Sequence, residues 1–94
     1  MFNKIASLSC GEIAYLEAIP NGSNQAVAPP IIAIHGWLDN AASFQPLIEK
    51  TPEFHWYAID LIGHGHSDHR PAKSHYHFID WVSDLHEFIE AMNF

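Results

Sequence analysis

The residues best suited to chemistry lie in two glycine-containing turns, each of which directly follows a run of apolar residues. The first turn is His35-Gly36-Trp37, and the second extends from Asp60 to Ser67. Glycine at position 36 allows the backbone to bend sharply and to approach a ligand closely. The next amide, Trp37 N–H, can then point into a site and stabilise the oxyanion of a tetrahedral intermediate, as acyl transfer requires. The alternative is that Gly36 only turns the chain and that the Trp37 ring only packs.

The second turn is also rich in histidine, which makes a metal site an alternative interpretation. Its pattern H-x-H-x-D-H is formed by His64, His66, Asp68 and His69, with His75 and His77 nearby in the sequence. The pattern resembles the first metal-binding motif of the metallo-β-lactamase superfamily. Imidazole and carboxylate groups suit zinc, and bound zinc can generate hydroxide near neutral pH. We favour the simpler interpretation, in which several of the eight histidines share one loop, and keep a zinc-dependent hydrolase as an alternative.

Alternating strands and helices are predicted to position these turns. Segments 2–8 and 12–19 are predicted as strands of an antiparallel hairpin, with a turn at 9–11. Two prolines at 29–30 cannot lie inside a central strand, so the third strand starts at Ile31. Because every residue from 31 to 34 is apolar, this strand is expected to be buried on both faces, as in a parallel sheet covered by helices. A fourth strand is predicted at 53–60.

A helix is predicted after each turn. In the first, Pro46 must lie in the first turn of the helix, which makes Ser43 the favoured N-cap and Asn40 the alternative. The second carries an apolar stripe with helical spacing, which we interpret as a core face rather than a ligand-binding surface. The stripe consists of Phe78, Trp81, Val82, Leu85, Phe88, Ile89 and Met92. The order β-β-β-α-β-α predicts an α/β fold, with a mostly parallel sheet and an N-terminal antiparallel hairpin.

The two turns and their spacing resemble the α/β-hydrolase superfamily. The sequence H-G-W-L-D-N-A-A-S-F occupies residues 35–44, and D-L-I-G-H-G-H-S occupies residues 60–67. The motif H-G-W-L-D-N is closest to that of the serine hydrolase-like esterases of the superfamily, and the resemblance covers roughly residues 11–92. It implies that residues 1–94 are the N-terminal part of one α/β-hydrolase domain. It also implies that the parent protein hydrolyses carboxylic esters or related acyl bonds through a serine, without a metal or an organic cofactor.

The resemblance also implies roles for individual residues. The Trp37 N–H becomes one oxyanion donor, and the second comes from the residue after the nucleophile. The remaining turn residues shape the loops near the site: His35, Gly36, Leu38, Asp39, Asp60, Gly63, Gly65 and Ser67. His35 is not expected to be the catalytic base, because that histidine follows the nucleophile and the acid in chain order. We expect His35 to position its loop through ring hydrogen bonds.

No nucleophile is expected within the chain. The family nucleophile lies in G-x-S-x-G on a strand-to-helix turn, and the nearest match, at 65–69, ends in histidine and lacks a strand that leads directly into Ser67. The chain is therefore expected to be an inactive N-terminal fragment. The missing C-terminal part, or a second copy, is expected at an open sheet edge on the fourth strand. A binding or assembly module without activity is the alternative. The substrate and the choice between a serine and an aspartate nucleophile stay open.

Composition limits the remaining classes of function. The 94 residues include 48% apolar residues, which is typical of one globular domain. Four basic residues against eleven acidic ones give a formal charge of −7, which argues against a nucleic-acid partner. Cys10 is the only cysteine, so no internal disulfide is expected. No secretory signal and no apolar run of the ~20 residues that span a bilayer is present, so a cytoplasmic location is expected.

Overall fold

The computed structural model describes residues 1–20, 29–70 and 76–94, which contain a four-stranded sheet and two α-helices. The strands are β1 (Phe2–Leu8), β2 (Gly11–Ala18), β3 (Ile31–Ile34) and β4 (Trp56–Ile59). A 3₁₀ helix at Ala41–Phe44 leads into α1 (Gln45–Lys50), and α2 spans Phe78–Ala91. The predicted element order is confirmed. Within the described ranges, no helix has the length and apolar character needed to cross a membrane.

The sheet is mixed, and its strand order is β1-β2-β4-β3. β1 and β2 form the predicted antiparallel hairpin, β2 is antiparallel to β4, and β3 is parallel to β4. The prediction that β4 would have an open edge is wrong, because β4 lies between β2 and β3. Among the described strands, the edges are β1 and β3. β4 is also shorter than the predicted strand at 53–60, because a turn precedes it, in which Phe54 N–H donates to Thr51 O at 3.2 Å.

The two α-helices cover opposite faces of this sheet. Neighbouring residues on a strand point to opposite faces, and Ala58 and Ile59 of β4 belong to different buried clusters. Ala58 packs with Ile48 of α1, whereas Ile59 packs with Phe88 of α2. Both Ile59 and Phe88 are fully buried. The chain therefore crosses one face of the sheet between β3 and β4, and the other face after β4.

Two expectations of burial are wrong in part: the end of β3 is not buried on both faces, and part of the apolar stripe of α2 is not a core face. Ile34 is 45% exposed, and the side chains of Phe78 and Val82 are 78% and 45% exposed. The physical reason is the strand order. Phe88 packs over the part of the sheet formed by β1, β2 and β4, while the flank of α2 that contains Phe78 and Val82 faces the region beside β3, the edge strand. Part of the predicted core face is therefore an exposed apolar surface among the described residues.

The polar side of α2 also contains a residue that the helical pattern did not identify as buried. Asp84 is only 3% exposed, and its Oδ2 accepts a hydrogen bond from Arg70 Nη2 at 2.8 Å. A buried carboxylate needs such a partner, because the loss of its hydration is costly. This ion pair connects the segment after the second glycine turn to α2.

The N-cap of the first helical segment is Asn40, the alternative prediction, and not Ser43, the favoured one. Asn40 caps the 3₁₀ helix, and its Oδ1 accepts from Ala42 N–H at 3.0 Å. Ser43 is not the cap, because the 3₁₀ helix already contains it, and its hydroxyl donates to the Asp39 carboxylate instead. Pro46 lies in the first turn of α1, as predicted.

Candidate active site

The two glycine turns meet at one end of the sheet, beyond the carboxyl ends of β3 and β4. His35 directly follows β3, and Asp60 directly follows β4. Because β3 and β4 are parallel neighbours, their carboxyl ends point the same way, and ligand sites of open α/β sheets form beyond such ends. This pairing brings together turns that are separated in the sequence by the whole of α1.

His35 connects the first turn to the second. Its ring is buried, at 5% exposure, with Nδ1 2.7 Å from Gly36 O and Nε2 3.0 Å from the Leu61 nitrogen. A carbonyl can only accept and an amide can only donate, so the partners assign a proton to Nδ1 and a lone pair to Nε2. The ring therefore donates within its own turn and accepts from the other.

His64 makes the corresponding connection in the opposite direction. Its Nε2 accepts from Leu38 N–H at 3.1 Å, and its Nδ1 faces Ile62 O at 3.4 Å. Its ring is also buried, at 8% exposure, and lies 4.9 Å from the His35 ring. The sequence pattern indicated His64 only as a candidate zinc ligand. Its contact with Leu38 depends on the pairing of β3 with β4, and no local pattern indicated it.

The first turn bends at Leu38, which corrects the expected role of Gly36. Leu38 has φ of 64°, whereas the φ of Gly36 is not in the left-handed region. The turn is closed by Asp39 N–H, which donates to Gly36 O at 3.1 Å. A Cβ added at Gly36 would meet no described atom within 4 Å. Gly36 is therefore not required for the bend, and the space beside it is open.

Trp37 borders an apolar cavity at this end of the sheet. The cavity has a volume of about 290 Å³ and is lined by Ile34, residues of both turns, and one side of α2 from Phe78 to Leu85. No hydrogen bond donated by Trp37 N–H occurs within residues 1–20, 29–70 and 76–94. Trp37 is 65% exposed, and its indole ring contacts the His64 and Trp81 rings edge-on, at centroid distances of 5.7 and 5.4 Å. A larger cavity of about 600 Å³ lies against the β1–β2 hairpin and does not include Trp37.

Asp60 and Ser67 brace the second turn from inside. Asp60 is buried, and its carboxylate accepts from Ala41 N–H at 2.7 Å and from His66 N–H at 3.1 Å. The Ser67 hydroxyl donates to Asp60 O at 2.5 Å and accepts from Ala14 N–H at 2.8 Å. Because Ser67 is 4% exposed and uses its hydroxyl in both roles, its position does not suit a nucleophile.

The glycines of the second turn allow the chain to pack closely against these groups. Gly65 has φ of +51°, and a Cβ there would lie 2.3 Å from the Asp60 Cγ. Gly63 has φ of +88°, and a Cβ there would lie 2.6 Å from the Tyr76 ring. Both positions combine a left-handed backbone with lack of space, so both require glycine.

The remaining predicted site residues lie at the rim of the turns. Asp39 is exposed, and hydrogen bonds from Ser43 and from the Asn40 amide lower the pKa of its carboxyl. Asp68 Oδ2 accepts from Glu12 N–H at 2.8 Å.

The candidate zinc ligands diverge in the described part of the chain. His64 is buried and bonded to an amide, whereas His66 and His69 are exposed. Among the described residues, no group of three or more His, Cys, Asp or Glu side chains is arranged to hold a metal ion. His75, a further proposed donor, lies outside the described residues. The spacing H-x-H-x-D-H therefore does not produce a convergent set of ligands here.

Comparison with known families identifies the class of protein. Residues 29–94 match the family model of the α/β-hydrolase fold. The chain therefore belongs to the α/β-hydrolase family, and the resemblance seen in the two glycine turns is confirmed.

Individual relatives narrow this class. The chain is 40% identical over 65 residues to a human serine hydrolase-like protein, a match that covers 68% of this chain and 32% of the human protein. It is 39% identical over 51 residues to a pimeloyl-[acyl-carrier protein] methyl ester esterase of Vibrio vulnificus, covering 53% of this chain and 20% of the esterase. The crystal structure of a hypothetical protein from Pseudomonas aeruginosa superposes with a TM-score of 0.84 at 34% identity, over 99% of this chain and 31% of that chain. The chain thus spans about a third or less of the length of these relatives.

Proposed function

We propose that the chain is the segment of a serine-type α/β-hydrolase that supplies the oxyanion-hole loop for cleavage of carboxylic esters or related acyl bonds. The observation that carries the proposal is Trp37, which borders an apolar cavity and whose N–H has no acceptor among the described residues. Support also comes from the relatives, which include serine hydrolase-like proteins and a methyl ester esterase. Trp37 N–H donates to the carbonyl oxygen of the substrate as negative charge develops on that atom.

The nucleophile of this reaction must come from a segment outside the 94 residues. The sequence contains no G-x-S-x-G turn, and Ser67 is buried with both hydrogen-bonding roles of its hydroxyl in use. In this family the second oxyanion donor is the amide that follows the nucleophile. The Trp37 amide and the nucleophile segment together form the complete oxyanion hole, and neither a metal nor an organic cofactor takes part.

The topology favours the β3 edge as the place where that segment joins the sheet. α1 and α2 lie on opposite faces, and both sides of β4 are already paired. A strand that follows α2 and continues the parallel part of the sheet through a right-handed crossover must therefore pair with β3. The exposed apolar side chains of Ile34, Phe78 and Val82 lie on the same side and would be covered by the added segment. Self-association through this edge is the alternative, and it would make the chain an assembly module.

The decisive experiment removes the Trp37 N–H in the full-length hydrolase. Trp37→Pro lacks the donor and is expected to lower kcat for a p-nitrophenyl ester by about 10²–10³-fold, as does loss of other single oxyanion donors. Trp37→Phe keeps the N–H and an aromatic ring, and is the matched control. Thermal unfolding of both variants checks that the fold is retained. Unchanged kcat in a folded Trp37→Pro variant would remove the oxyanion assignment.

The isolated chain provides a second test. It is expected to hydrolyse no ester above the background rate, and Ser67 is expected to resist labelling by a fluorophosphonate probe. Labelling of Ser67 would identify that residue as a reactive nucleophile and contradict the proposal.

A further inference from the structure

We propose that His64 is a positioning residue, which together with His35 forms a reciprocal clasp that prevents the Gly36–Trp37 peptide from flipping. This inference rests on the proposed role of Trp37 N–H as the oxyanion donor. The clasp is defined by two hydrogen bonds between the turns: Leu38 N–H to His64 Nε2 at 3.1 Å, and Leu61 N–H to His35 Nε2 at 3.0 Å. Each turn thus contributes one imidazole and one amide to the other.

The orientation of the catalytic amide follows from the carbonyl of the same peptide. Gly36 O accepts from His35 Nδ1–H at 2.7 Å and from Asp39 N–H at 3.1 Å. The described part of the chain contains no cis peptide bond, so the Trp37 N–H points away from Gly36 O and from both of its donors. A flip of this peptide would replace the N–H donor by a carbonyl oxygen, which would repel an oxyanion. Whatever holds Gly36 O in place therefore preserves the donor.

His64 holds the other end of the same turn. Leu38 lies in the left-handed region, with φ of 64°. Residues other than glycine rarely adopt this backbone conformation, and it persists only where the surroundings enforce it. His64 Nε2 accepts a hydrogen bond from the N–H of this strained residue. Loss of this acceptor would release Leu38 to an unstrained conformation and disturb the Gly36–Asp39 turn that orients the donor.

The helix α2 fixes the His64 ring in turn. The ring contacts the Trp37 and Trp81 indoles, at centroid distances of 5.7 and 5.6 Å, and the two indoles contact each other at 5.4 Å. Trp81 Nε1–H donates at 2.9 Å to Ile62 O, the carbonyl that also faces His64 Nδ1. These contacts limit rotation of the imidazole and keep Nε2 directed at the first turn.

The clasp requires a specific form of both histidines. In each ring Nδ1 faces a carbonyl and Nε2 accepts from an amide, so both rings must be neutral and carry their proton on Nδ1. An imidazolium has no lone pair and could not accept from Leu38 or Leu61.

Nuclear magnetic resonance tests the clasp without any turnover. In the full chain labelled with ¹⁵N, long-range ring correlations are expected to show the Nδ1–H tautomer for His35 and His64. Couplings across the hydrogen bonds are expected between the Leu38 nitrogen and His64 Nε2, and between the Leu61 nitrogen and His35 Nε2. Detection of the Nε2–H tautomer at His64 would overturn the proposal.

Kinetics of the full-length hydrolase test the positioning role. His64→Phe fills the same space without an acceptor and is expected to lower kcat about tenfold or more with little change in KM, a smaller loss than that of the donor itself. His64→Gln places an amide oxygen near the position of Nε2 and is expected to restore most of kcat. His69→Phe, at an exposed histidine after the same turn, is the control for adding an aromatic ring.

The outcomes separate this inference from the proposed function. If His64→Phe folds and keeps full kcat while Trp37→Pro does not, the clasp is refuted and the oxyanion assignment stands. If Trp37→Pro keeps full kcat, the oxyanion assignment fails whatever the tautomers are. Equal losses in the Phe and Gln variants would mean that ring packing, rather than the acceptor, is what matters, and would also refute the positioning role.

Discussion

Replacement by alanine is expected to destabilise the fold strongly at one glycine of the site, Gly65, and to have little effect at another, Gly36. Gly65→Ala places a methyl group 2.3 Å from the Asp60 Cγ, at a residue with φ of +51°. Gly36→Ala places the same group where no described atom lies within 4 Å, at a residue without left-handed φ. The pair therefore tests whether close packing against Asp60, rather than glycine content as such, determines the second turn.

The cost of Gly65→Ala has two separable parts. A left-handed residue with a Cβ costs about 1–2 kcal/mol. The methyl group must also displace the Asp60 carboxylate, which would lose its hydrogen bonds from Ala41 N–H and His66 N–H, and bonds to charged groups contribute about 1.5–3 kcal/mol each. We expect a loss of at least about 3 kcal/mol, a large part of the roughly 5–15 kcal/mol of a whole domain. Gly36→Ala is expected to change stability by less than about 1 kcal/mol, because only the entropy of the unfolded chain changes.

Urea unfolding followed by tryptophan fluorescence measures both effects, since the chain contains three tryptophans. A loss of 3 kcal/mol corresponds to a fall in Tm of about 12–24 °C for a domain of this size. If Gly65→Ala is unfolded without denaturant, the osmolyte trimethylamine N-oxide extends the measurable range, because it favours the compact state.

A double-mutant cycle with Asp60→Ala decides whether the contact is the cause. Without the carboxylate, Gly65→Ala should cost only the backbone part, about 1–2 kcal/mol. An equal cost in both backgrounds would show that the methyl group does not act through Asp60. A cost of Gly65→Ala as small as that of Gly36→Ala would refute the geometry of the turn itself.

Two further predictions concern ionisable groups away from the site. Burial opposes charge on Glu17, but hydrogen bonds from Lys4 and His55 lower its pKa below the ordinary 4.5. The charged form of Glu17 therefore stabilises the fold. This stabilisation is present above the pKa of the unfolded chain and is lost as the pH falls through the pKa of the folded chain. Glu17→Gln should accordingly make stability less dependent on pH in that acidic range, as measured by Tm against pH. Burial, followed by a hydrogen bond with Asp84, raises the pKa of Cys10 to about 11, so its alkylation by iodoacetamide at pH 8 should be about 100-fold or more slower than that of a free thiol.

Matched controls make these two predictions specific. Glu53→Gln removes an exposed carboxylate and is the control for the loss of one acidic side chain; an equal effect at both positions would contradict the role of Glu17. Alkylation of Cys10 in urea should reach the rate of a free thiol. Fast alkylation in the folded chain would show that its thiol is not held by the hydrogen bond with Asp84.

The order of strands and helices could be predicted because each segment contains its own signal. The prolines at 29–30 fixed the start of β3, and the helical spacing of apolar residues identified α2. The position of β3 at an edge could not be predicted, because it depends on which strands pair across the sheet. An apolar run such as residues 31–34 is compatible with a central strand and equally with an edge strand that another segment covers. The expected burial of Ile34 was therefore wrong for the described chain, although the strand itself was predicted correctly.

The same distinction between local and long-range information applies to the residues of the site. Trp37 could be proposed from its turn alone, because the position of an amide after a His-Gly turn is a local property. His64 could not, because its acceptor role depends on an amide that the pairing of β3 with β4 brings within reach.

The histidine cluster shows the physical reason for that limit. Ligand spacing indicates a metal only if the side chains converge, and convergence is set by the backbone between them. In the second turn, Gly63 and Gly65 reverse the chain through left-handed conformations, so that His64 points inward to the Leu38 amide while Asp68 binds the amide of Glu12. Gly63 and Gly65, which are only spacers in a metal-binding motif, therefore direct the donors of that motif apart. The histidine that remains inside, His64, becomes available to hold the first turn through the Leu38 amide.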